Sequence, residues 1–345
     1  MNKKILSTAI VATFSMGVVT AAEACTRILW NTDDHGTFVN RTVDWSEPTD
    51  AHLVNMPKNS TYVTHLEQDN KVVAKYDVTG TTTYGAITDG MNSAGLSGNV
   101  LYDGGMETED ANGSDDLGTL SYLRHLLAQF GSVEEAVEFV ENNVPATEFI
   151  PGIPIRIALH VSLQDTSGDS AIIEFREEGA RIWHGAEYTV MTNQPDYNLH
   201  LANLDRAKKS WGPAEEQFGY TNLKTGGNAN PEDRFIHASY FSSHLKQPTS
   251  IINGMVKLDS ASYKIPQDAP NSAINGVMAG YATEFSVNYH LQSGETLLRY
   301  QWGDDFTQLQ YNMKEIQESG KNIEFKLVQP NMIGNITEAV INSGH

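Results

Sequence analysis

Apolar and polar residues alternate along much of this chain with the period of two that is typical of half-buried β-strands. Residues 25–45, CTRILWNTDDHGTFVNRTVDW, predict two strands joined by a turn at residues 31–36. Two longer β-rich runs, residues 281–291 and 295–302, predict a hairpin near the C-terminus. Shorter runs predict further strands at residues 53–56, 62–66, 84–88, 95–102, 155–164, 170–175, 181–185 and 188–192.

Three segments have helical signals instead. Residues 117–130 carry leucines at helical spacing, and Ser132 begins a second helix with a capping box. Asn230 begins a third helix, with proline at its first position and acidic residues in its first turn. Neighbouring strands joined by hairpins predict an α+β fold with antiparallel sheets. The chain shows no repeat or linker, so residues 25–345 are predicted to form a single domain.

Residues 1–24 have the layout of a bacterial secretory signal peptide, with two lysines, an uncharged apolar run and an Ala-x-Ala triplet ending at Ala24. Cleavage there predicts a periplasmic or secreted protein. A membrane anchor is the weaker interpretation, because the run is short and nothing later is apolar enough for stable membrane insertion. A lipoprotein acylated at Cys25 is a second alternative, which the acidic Glu23 disfavours.

Charge and motif content exclude several classes of function. The formal net charge of −20 at pH 7 argues against nucleic acid as a partner. The glycine-rich nucleotide motifs, the G-x-S-x-G elbow and zinc-ligand spacings are all absent. Residues 110–116 resemble a calcium loop, but the glycine is misplaced and Ser121 stands where a glutamate is required. We therefore predict an acidic loop there, no metal site and no cofactor.

The chain contains one cysteine, Cys25, directly after the predicted cleavage site. Cleavage would give Cys25 a free α-amine, a group whose unperturbed pKa of about 7.7–8.0 allows it to accept a proton near pH 7. One residue would then hold a nucleophilic sulfur and its general base, as in N-terminal nucleophile hydrolases. The alternative is an exported binding protein in which Cys25 is inert or redox-active.

The first predicted hairpin brings two charged residues close to Cys25. Centring the turn between Asp33 and Asp34 sets Cys25 opposite Thr42, with Arg41 and Asp44 nearby. Strict alternation would place Arg41 and Asp44 on opposite faces, so both can serve one site only if the strand ends or bulges between them. A surface ion pair is the alternative interpretation.

Five short motifs, in order, resemble the choloylglycine hydrolases of the N-terminal nucleophile superfamily, which include bile salt hydrolases and penicillin V acylases. The motifs are CTRILW beginning at Cys25, NRTVDW with Arg41 and Asp44, DGMNSAGLSGNVLY ending at Tyr102, VMTNQP with Asn193, and EDRF with Arg234. The resemblance implies a four-layer αββα sandwich with two stacked antiparallel sheets.

The resemblance also implies a role for each matching residue. Cys25 would attack an amide carbonyl, and the Asn193 side chain and the Tyr102 backbone N–H would hold the oxyanion. Arg41 and Asp44 would orient and polarise the nucleophile. The family's second active-site arginine falls on Arg234, which would support that network. The implied partner is a small-molecule amide with an apolar acyl group.

Departures from the family pattern favour the acylase branch. Tyr102 stands where many bile salt hydrolases have asparagine, and Gln194 replaces a second asparagine. The predicted export resembles Gram-negative penicillin V acylases, a group associated with cleavage of N-acyl homoserine lactones. Bile salt hydrolysis is the alternative. Family members commonly form tetramers, so the resemblance alone raises a homotetramer as an assembly for this chain.

Some residues have simpler interpretations. Trp45 is interpreted equally well as a wall of an acyl pocket and as a core residue. Asp89, Asn92 and Asn99 lie in glycine-rich sequence and are predicted to form turns.

Overall fold

We describe a computed structural model of the chain over residues 25–65, 71–110, 117–149, 156–211, 225–274, 277–327 and 332–345. The predicted leader, residues 1–24, and most of the predicted acidic loop, residues 111–116, lie outside these ranges. Within them, no helix combines the length and the hydropathy needed to span a bilayer.

The described residues form strands and helices in mixed order. The strands are β1 (Thr26–Thr32), β2 (Gly36–Trp45), β3 (His52–Met56), β4 (Thr61–Val63), β5 (Lys71–Val73), β6 (Val78–Thr83), β7 (Ala86–Asn92), β8 (Leu96–Tyr102), β9 (Leu159–Asp165), β10 (Ser170–Arg176), β11 (Gly179–His184), β12 (Val190–Thr192), β13 (Ser272–Ile274), β14 (Val277–Ala279), β15 (Ala282–His290), β16 (Glu295–Trp302), β17 (Asp305–Asn312), β18 (Ile323–Lys326) and β19 (Ile333–Asn335). The helices are α1 (Thr119–Gln129), α2 (Val133–Val140), α3 (Tyr197–Lys208), α4 (Pro231–Ser243), α5 (Ile251–Ala261), α6 (Met313–Glu318) and α7 (Thr337–Ser343).

Most strands belong to two large sheets. One has the order β12-β1-β2-β15-β16-β17-β19, and the other β11-β10-β9-β8-β7-β6-β3-β18. Every pairing in the second sheet is antiparallel, and in the first only β17 and β19 run parallel. Helices α1 and α2 pack on the eight-stranded sheet, whereas α4 and α5 pack on the seven-stranded one.

Three apolar clusters fill the spaces between these layers. The first joins α1 and α2 to the eight-stranded sheet through residues such as Leu123 and Val137. The second lies between the two sheets and includes Val39 and Val287. The third joins the seven-stranded sheet to α3, α4 and α5 and includes Phe235. This order of layers is helix, sheet, sheet, helix, so the predicted αββα sandwich is confirmed.

The sequence patterns predict most of the strands and helices that surround Cys25. The three predicted helices are α1, α2 and α4, and the capping oxygens of Ser132 and Asn230 accept from backbone N–H groups as expected. The strand predicted over residues 84–88 is displaced. Tyr84 and Gly85 have φ of 49° and 80°, which is turn geometry, so β7 begins only at Ala86.

The register of the first hairpin differs from the prediction by one residue. Thr26, not Cys25, lies opposite Thr42, because the turn between the Thr32–Gly36 pair has three residues and is centred on Asp34. The Gly-containing turn after β11 also differs from expectation. It does not form a hairpin, because β12 leaves for the other sheet and pairs with β1. That crossover brings residue 193 to the end of the strand that carries Cys25.

Candidate active site

Cys25 directly precedes the first residue of β1, Thr26. Its side chain is buried, and it belongs to the cluster that packs against α4 and α5. Its carbonyl oxygen accepts a hydrogen bond from Arg234 Nη1 at 2.5 Å. The N–H of Thr26 donates to Thr42 Oγ1 at 3.0 Å. The backbone next to the sulfur is therefore fixed from two directions.

Asp44 lies on the helix-facing side of β2, two residues after Thr42. Thr42 Oγ1 donates to Asp44 Oδ2 at 3.2 Å, which extends the hydrogen-bond path that begins at the Thr26 N–H. The carboxyl group is fully buried. Burial raises the pKa of Asp44 to about 6, and the nearby Arg234 opposes that rise. The Asp44 carboxyl group is therefore mainly ionised at pH 7 and mainly protonated below about pH 6.

Arg234 joins Cys25 to Asn193. It follows the N-cap Asn230 by four residues, so the first turn of α4 directs it towards β1. Its Nε donates to the Ala229 carbonyl at 2.8 Å, and its Nη1 also donates to Thr26 Oγ1 at 2.8 Å. Its Nη2 donates to Asn193 Oδ1 at 3.0 Å. Burial lowers the pKa of Arg234, and Asp44 and Cys25 oppose that change.

Asn193 and Tyr102 meet across the two sheets. Asn193 follows β12, Tyr102 ends β8, and Asn193 Nδ2 donates to the Tyr102 carbonyl at 2.9 Å. Arg234 has only donors, so it requires the amide oxygen of Asn193 on its own side and leaves Nδ2 facing Tyr102. His200 Nε2 lies 2.7 Å from the Asn193 carbonyl oxygen. Burial lowers the pKa of His200 to about 4, so this ring is neutral and donates to that carbonyl.

Arg41 points to the other face of β2, into the space between the sheets. Its Nη2 donates to the Val100 carbonyl on β8 at 3.1 Å, and its Nη1 lies 3.8 Å from Asp89 Oδ2 on β7. The expected separation of Arg41 and Asp44 onto opposite faces is confirmed. Both residues still lie near Cys25. Cys25 precedes the first residue of β1, so side chains on either face of the sheet can reach it.

An apolar pocket opens beside Cys25 and Arg41 and lies between the two sheets. Trp45 lines it, and the Trp45 and Tyr84 rings meet edge to face with centroids 6.1 Å apart. The remaining walls are mostly aliphatic and include Val43, Ile87, Val100, Leu101, Leu120, Ile157 and Leu159. Trp45 is therefore a half-buried wall of this pocket and not a core residue.

The structure thus groups the six other residues named from the sequence around Cys25. It also contains contributors that the sequence analysis missed. Thr42 relays hydrogen bonding to Asp44, and Asp89 faces Arg41. The turn prediction was wrong for Asp89 and Asn99, which are buried within β7 and β8. It is confirmed for Asn92, whose Oδ1 accepts from the Ala94 and Leu96 N–H groups in the turn between these two strands. Polar residues in a strand buried on both faces lack the alternation that would have marked them.

Comparisons with known proteins agree with this geometry. A profile of the linear amide C–N hydrolases, choloylglycine hydrolase family, matches residues 25–267. The chain is 28% identical over 282 residues to penicillin V acylase of Pectobacterium atrosepticum, covering 74% of this chain and 70% of the relative. It is 28% identical over 193 residues to bile salt hydrolase/transferase of Clostridium perfringens, covering 53% of this chain and 57% of the relative.

A solved structure supports the fold independently. The penicillin V acylase from Agrobacterium tumefaciens aligns with a TM-score of 0.73 at 22% identity, covering 93% of this chain and 97% of that one. The stacked antiparallel sheets flanked by helices define the class as the N-terminal nucleophile hydrolase fold. The profile match covers well over half of the chain, so this protein belongs to the choloylglycine hydrolase family and hydrolyses linear amide C–N bonds.

Proposed function

We propose that this protein is an exported acylase of the penicillin V acylase type, with N-acyl homoserine lactones as a second substrate class. The observation that carries the proposal is the pocket beside Cys25, whose walls are mostly aliphatic and also include Arg41, Arg156 and several threonines. Such a pocket suits an aromatic or aliphatic acyl group. The relative named penicillin V acylase also aligns over more of this chain than the bile salt hydrolase/transferase does.

The chemistry begins with removal of residues 1–24. The α-amine of Cys25 then takes the proton of its own thiol, and the sulfur attacks the amide carbonyl. The α-amine returns that proton to the leaving amine as the C–N bond breaks, which leaves a thioester on Cys25. Water hydrolyses the thioester and releases a carboxylic acid. Asp44 and Arg41 supply the charges that orient these groups on either side of Cys25.

The negative charge that develops on the substrate oxygen is held by two donors. One is the second N–H of Asn193 Nδ2, whose first N–H is already committed to the Tyr102 carbonyl. The other is the Tyr102 backbone N–H. Arg234 fixes the Asn193 amide, so the donor is in place before the reaction begins. Neither the formation nor the hydrolysis of the thioester requires a metal or a cofactor.

Processing and location belong to the same proposal. The family profile begins at Cys25, which supports a mature chain that starts there. We infer export to the periplasm or beyond it, and a homotetramer as the assembly. Light scattering of the purified protein measures the latter, and a monomeric mass would contradict it.

Intact mass of the purified protein tests the first step. A mature chain that begins at Cys25 is expected, together with loss of amide hydrolysis in Cys25→Ala. A variant that retains one extra residue before Cys25 is also expected to be inactive, because its base is then an amide. Full activity in either variant would exclude the proposed nucleophile.

Side-by-side hydrolysis of penicillin V, a long-chain N-acyl homoserine lactone and glycocholate tests substrate class. We expect the first two to be hydrolysed with the higher kcat/KM. Trp45→Ala should raise KM for both because it removes a pocket wall, with a smaller effect on kcat. Predominant turnover of glycocholate would contradict the ranking and favour bile salt hydrolysis.

A further inference from the structure

A buried arginine lies behind the two oxyanion segments. Arg176, at the end of β10, is 5% exposed and has three carboxylate partners among the described residues. Its Nη1 lies 2.6 Å from Asp103 Oδ2. Its Nη2 lies 2.9 Å from Asp196 Oδ1 and 3.0 Å from Glu174 Oε2. Ion pairing, first with Asp103, outweighs the effect of burial and raises the pKa of Arg176.

These carboxylates belong to the segments that carry the oxyanion donors. Asp103 directly follows Tyr102, and Asp196 follows Asn193 by three residues and occupies the N-cap position of α3. Glu174 reaches the second segment as well, because its Oε1 accepts from the backbone N–H after Asp196 at 2.6 Å. The guanidinium group therefore connects the end of β8 to the segment after β12. The hydrogen bond from Asn193 Nδ2 to the Tyr102 carbonyl is a second connection between these two segments.

The same cluster contains residue types that could bind a metal ion, but the Arg176 guanidinium cation already occupies it. Single ligand atoms of Asp103, His160 and Glu174 lie within 4.8 Å of one another. Arg176 pairs with one carboxylate oxygen of Asp103 and with one of Glu174. Backbone N–H groups donate to the other oxygen of each residue, at 2.9 Å for Asp103 and 2.6 Å for Glu174. Burial lowers the pKa of His160 to about 4, so the ring adds no charge. The charge balance of the cluster thus depends on Arg176.

We propose that Arg176 is a positioning residue for the oxyanion hole, holding the Tyr102 and Asn193 segments at a fixed separation. This inference rests on the proposed roles of those two residues. An oxyanion donor acts only when it is preorganised at the right place, and a displacement of about 1 Å can cost about 10²-fold in rate. A planar guanidinium with several fixed donors can set such a separation, whereas a single ammonium group cannot.

The test compares Arg176→Lys and Asp103→Asn with wild type. Both variants retain polar groups of similar size, which limits the risk that the protein fails to fold. Two rates are measured: kcat for amide hydrolysis and the rate of Cys25 alkylation by iodoacetamide, a reaction that needs no oxyanion hole. We expect kcat to fall about 10- to 100-fold in each variant, while KM and the alkylation rate stay within about two-fold of wild type.

Arg181→Met is the matched control. Arg181 also pairs with Asp196, at 2.9 Å, but it is half-exposed and reaches no other oxyanion segment. Its loss should leave both rates unchanged. Unchanged kcat in Arg176→Lys would overturn the inference, and so would an equal loss of the alkylation rate, which would assign Arg176 to general folding.

A parallel variant separates this inference from the proposed function on which it rests. Asn193→Ala should show the same signature, with low kcat and normal alkylation. If Asn193→Ala retains full kcat, the proposed oxyanion hole is wrong. If Asn193→Ala loses kcat and Arg176→Lys does not, only the role of Arg176 is wrong.

Discussion

Arg234 shows how one side chain can organise a reactive centre. It is buried, and its three nitrogens donate to the Ala229 and Cys25 carbonyls, to Thr26 Oγ1 and to Asn193 Oδ1. Removing a hydrogen-bonded charge from such a place leaves several acceptors unsatisfied. Cys25 and Asn193 would then lose their common hydrogen-bond donor at once.

Arg234→Lys is expected to lower kcat/KM by about 10²-fold, because an ammonium group cannot reach all of these acceptors. The thermal midpoint should also fall. Arg124→Lys is the control, since Arg124 is a partly buried arginine of α1 whose Nη2 donates to the Val63 carbonyl and to Ser121 Oγ. Equal losses of activity in the two variants would show that the effect comes from burial and not from the site.

Asp89 is the residue that the sequence analysis placed least well, and its position predicts a pH effect. Burial raises the pKa of Asp89 to about 6, opposed by Arg41, and burial raises that of Asp44 to about the same value. Both are charged only above that pH. Burial also raises the pKa of the neighbouring Tyr289 and Tyr311, so these phenols stay neutral in this range.

Below pH 6, wild-type kcat/KM should therefore fall with two carboxyl protons and Asp89→Asn with one, in addition to the one proton that the Cys25 α-amine takes up at higher pH. The acid-side slope of log kcat/KM against pH is expected to be smaller by about 1 in Asp89→Asn than in wild type. Activity at pH 7.5 should also be lower in Asp89→Asn, because the Arg41 guanidinium loses the charge that faces it at 3.8 Å. An unchanged slope would mean that Asp89 does not affect the reaction.

At the scale of elements, a β-bulge supports one wall of the pocket. The pairing of β15 with β2 shifts between Thr283 and Phe285, which places Glu284 at the irregularity. Both carboxylate oxygens of Glu284 lie 3.1 Å from the Thr49 N–H, and the Thr49 carbonyl accepts from the Tyr84 N–H at 3.0 Å. Thr49 and Tyr84 both line the pocket, so Glu284 anchors that wall from behind.

Glu284→Ala is expected to loosen this wall and to change acyl selectivity. The ratio of kcat/KM for a long-chain to a short-chain substrate should change several-fold, mainly through KM. Glu284→Gln keeps an oxygen acceptor for Thr49 and should retain the wild-type ratio. The same ratio in all three proteins would show that the wall does not depend on Glu284.

The elements also show how far the sequence pattern extends. It predicted the first hairpin, the capped helices and the separation of Arg41 from Asp44, because each depends on local periodicity or on a local cap. It did not predict α3, α5 or β17. The pairing of Asn193 with Tyr102 was reached only through resemblance, since it depends on a crossover between sheets that has no local signal.

At the scale of the whole molecule, buried titratable groups have opposing effects on stability. Burial raises the pKa of four carboxyl groups, to about 6 for Asp44 and Asp89 and to about 7 for Glu174 and Glu284. Burial lowers the pKa of three histidines to about 4, namely His125, His160 and His200. Between about pH 4 and 6.5, the carboxyl groups bind more protons in the folded state, whereas the histidines bind more protons in the unfolded state. The two effects on stability therefore oppose each other.

Above pH 6.5 the unfolded histidines release their remaining protons, while Glu174 and Glu284 still hold an excess of protons in the folded state. A raised carboxyl pKa means that the folded state binds more protons, so stability falls as pH rises through the folded pKa. Each group should cost about 1 kcal/mol between pH 6.5 and 8. Urea unfolding at constant ionic strength of wild type and of Glu284→Gln, which cannot titrate, isolates this contribution, because the histidines are common to both proteins. Between pH 6.5 and 8 the free energy of unfolding of wild type should fall by about 1 kcal/mol more than that of Glu284→Gln. The same pH dependence in both proteins would show that Glu284 is already ionised throughout this range.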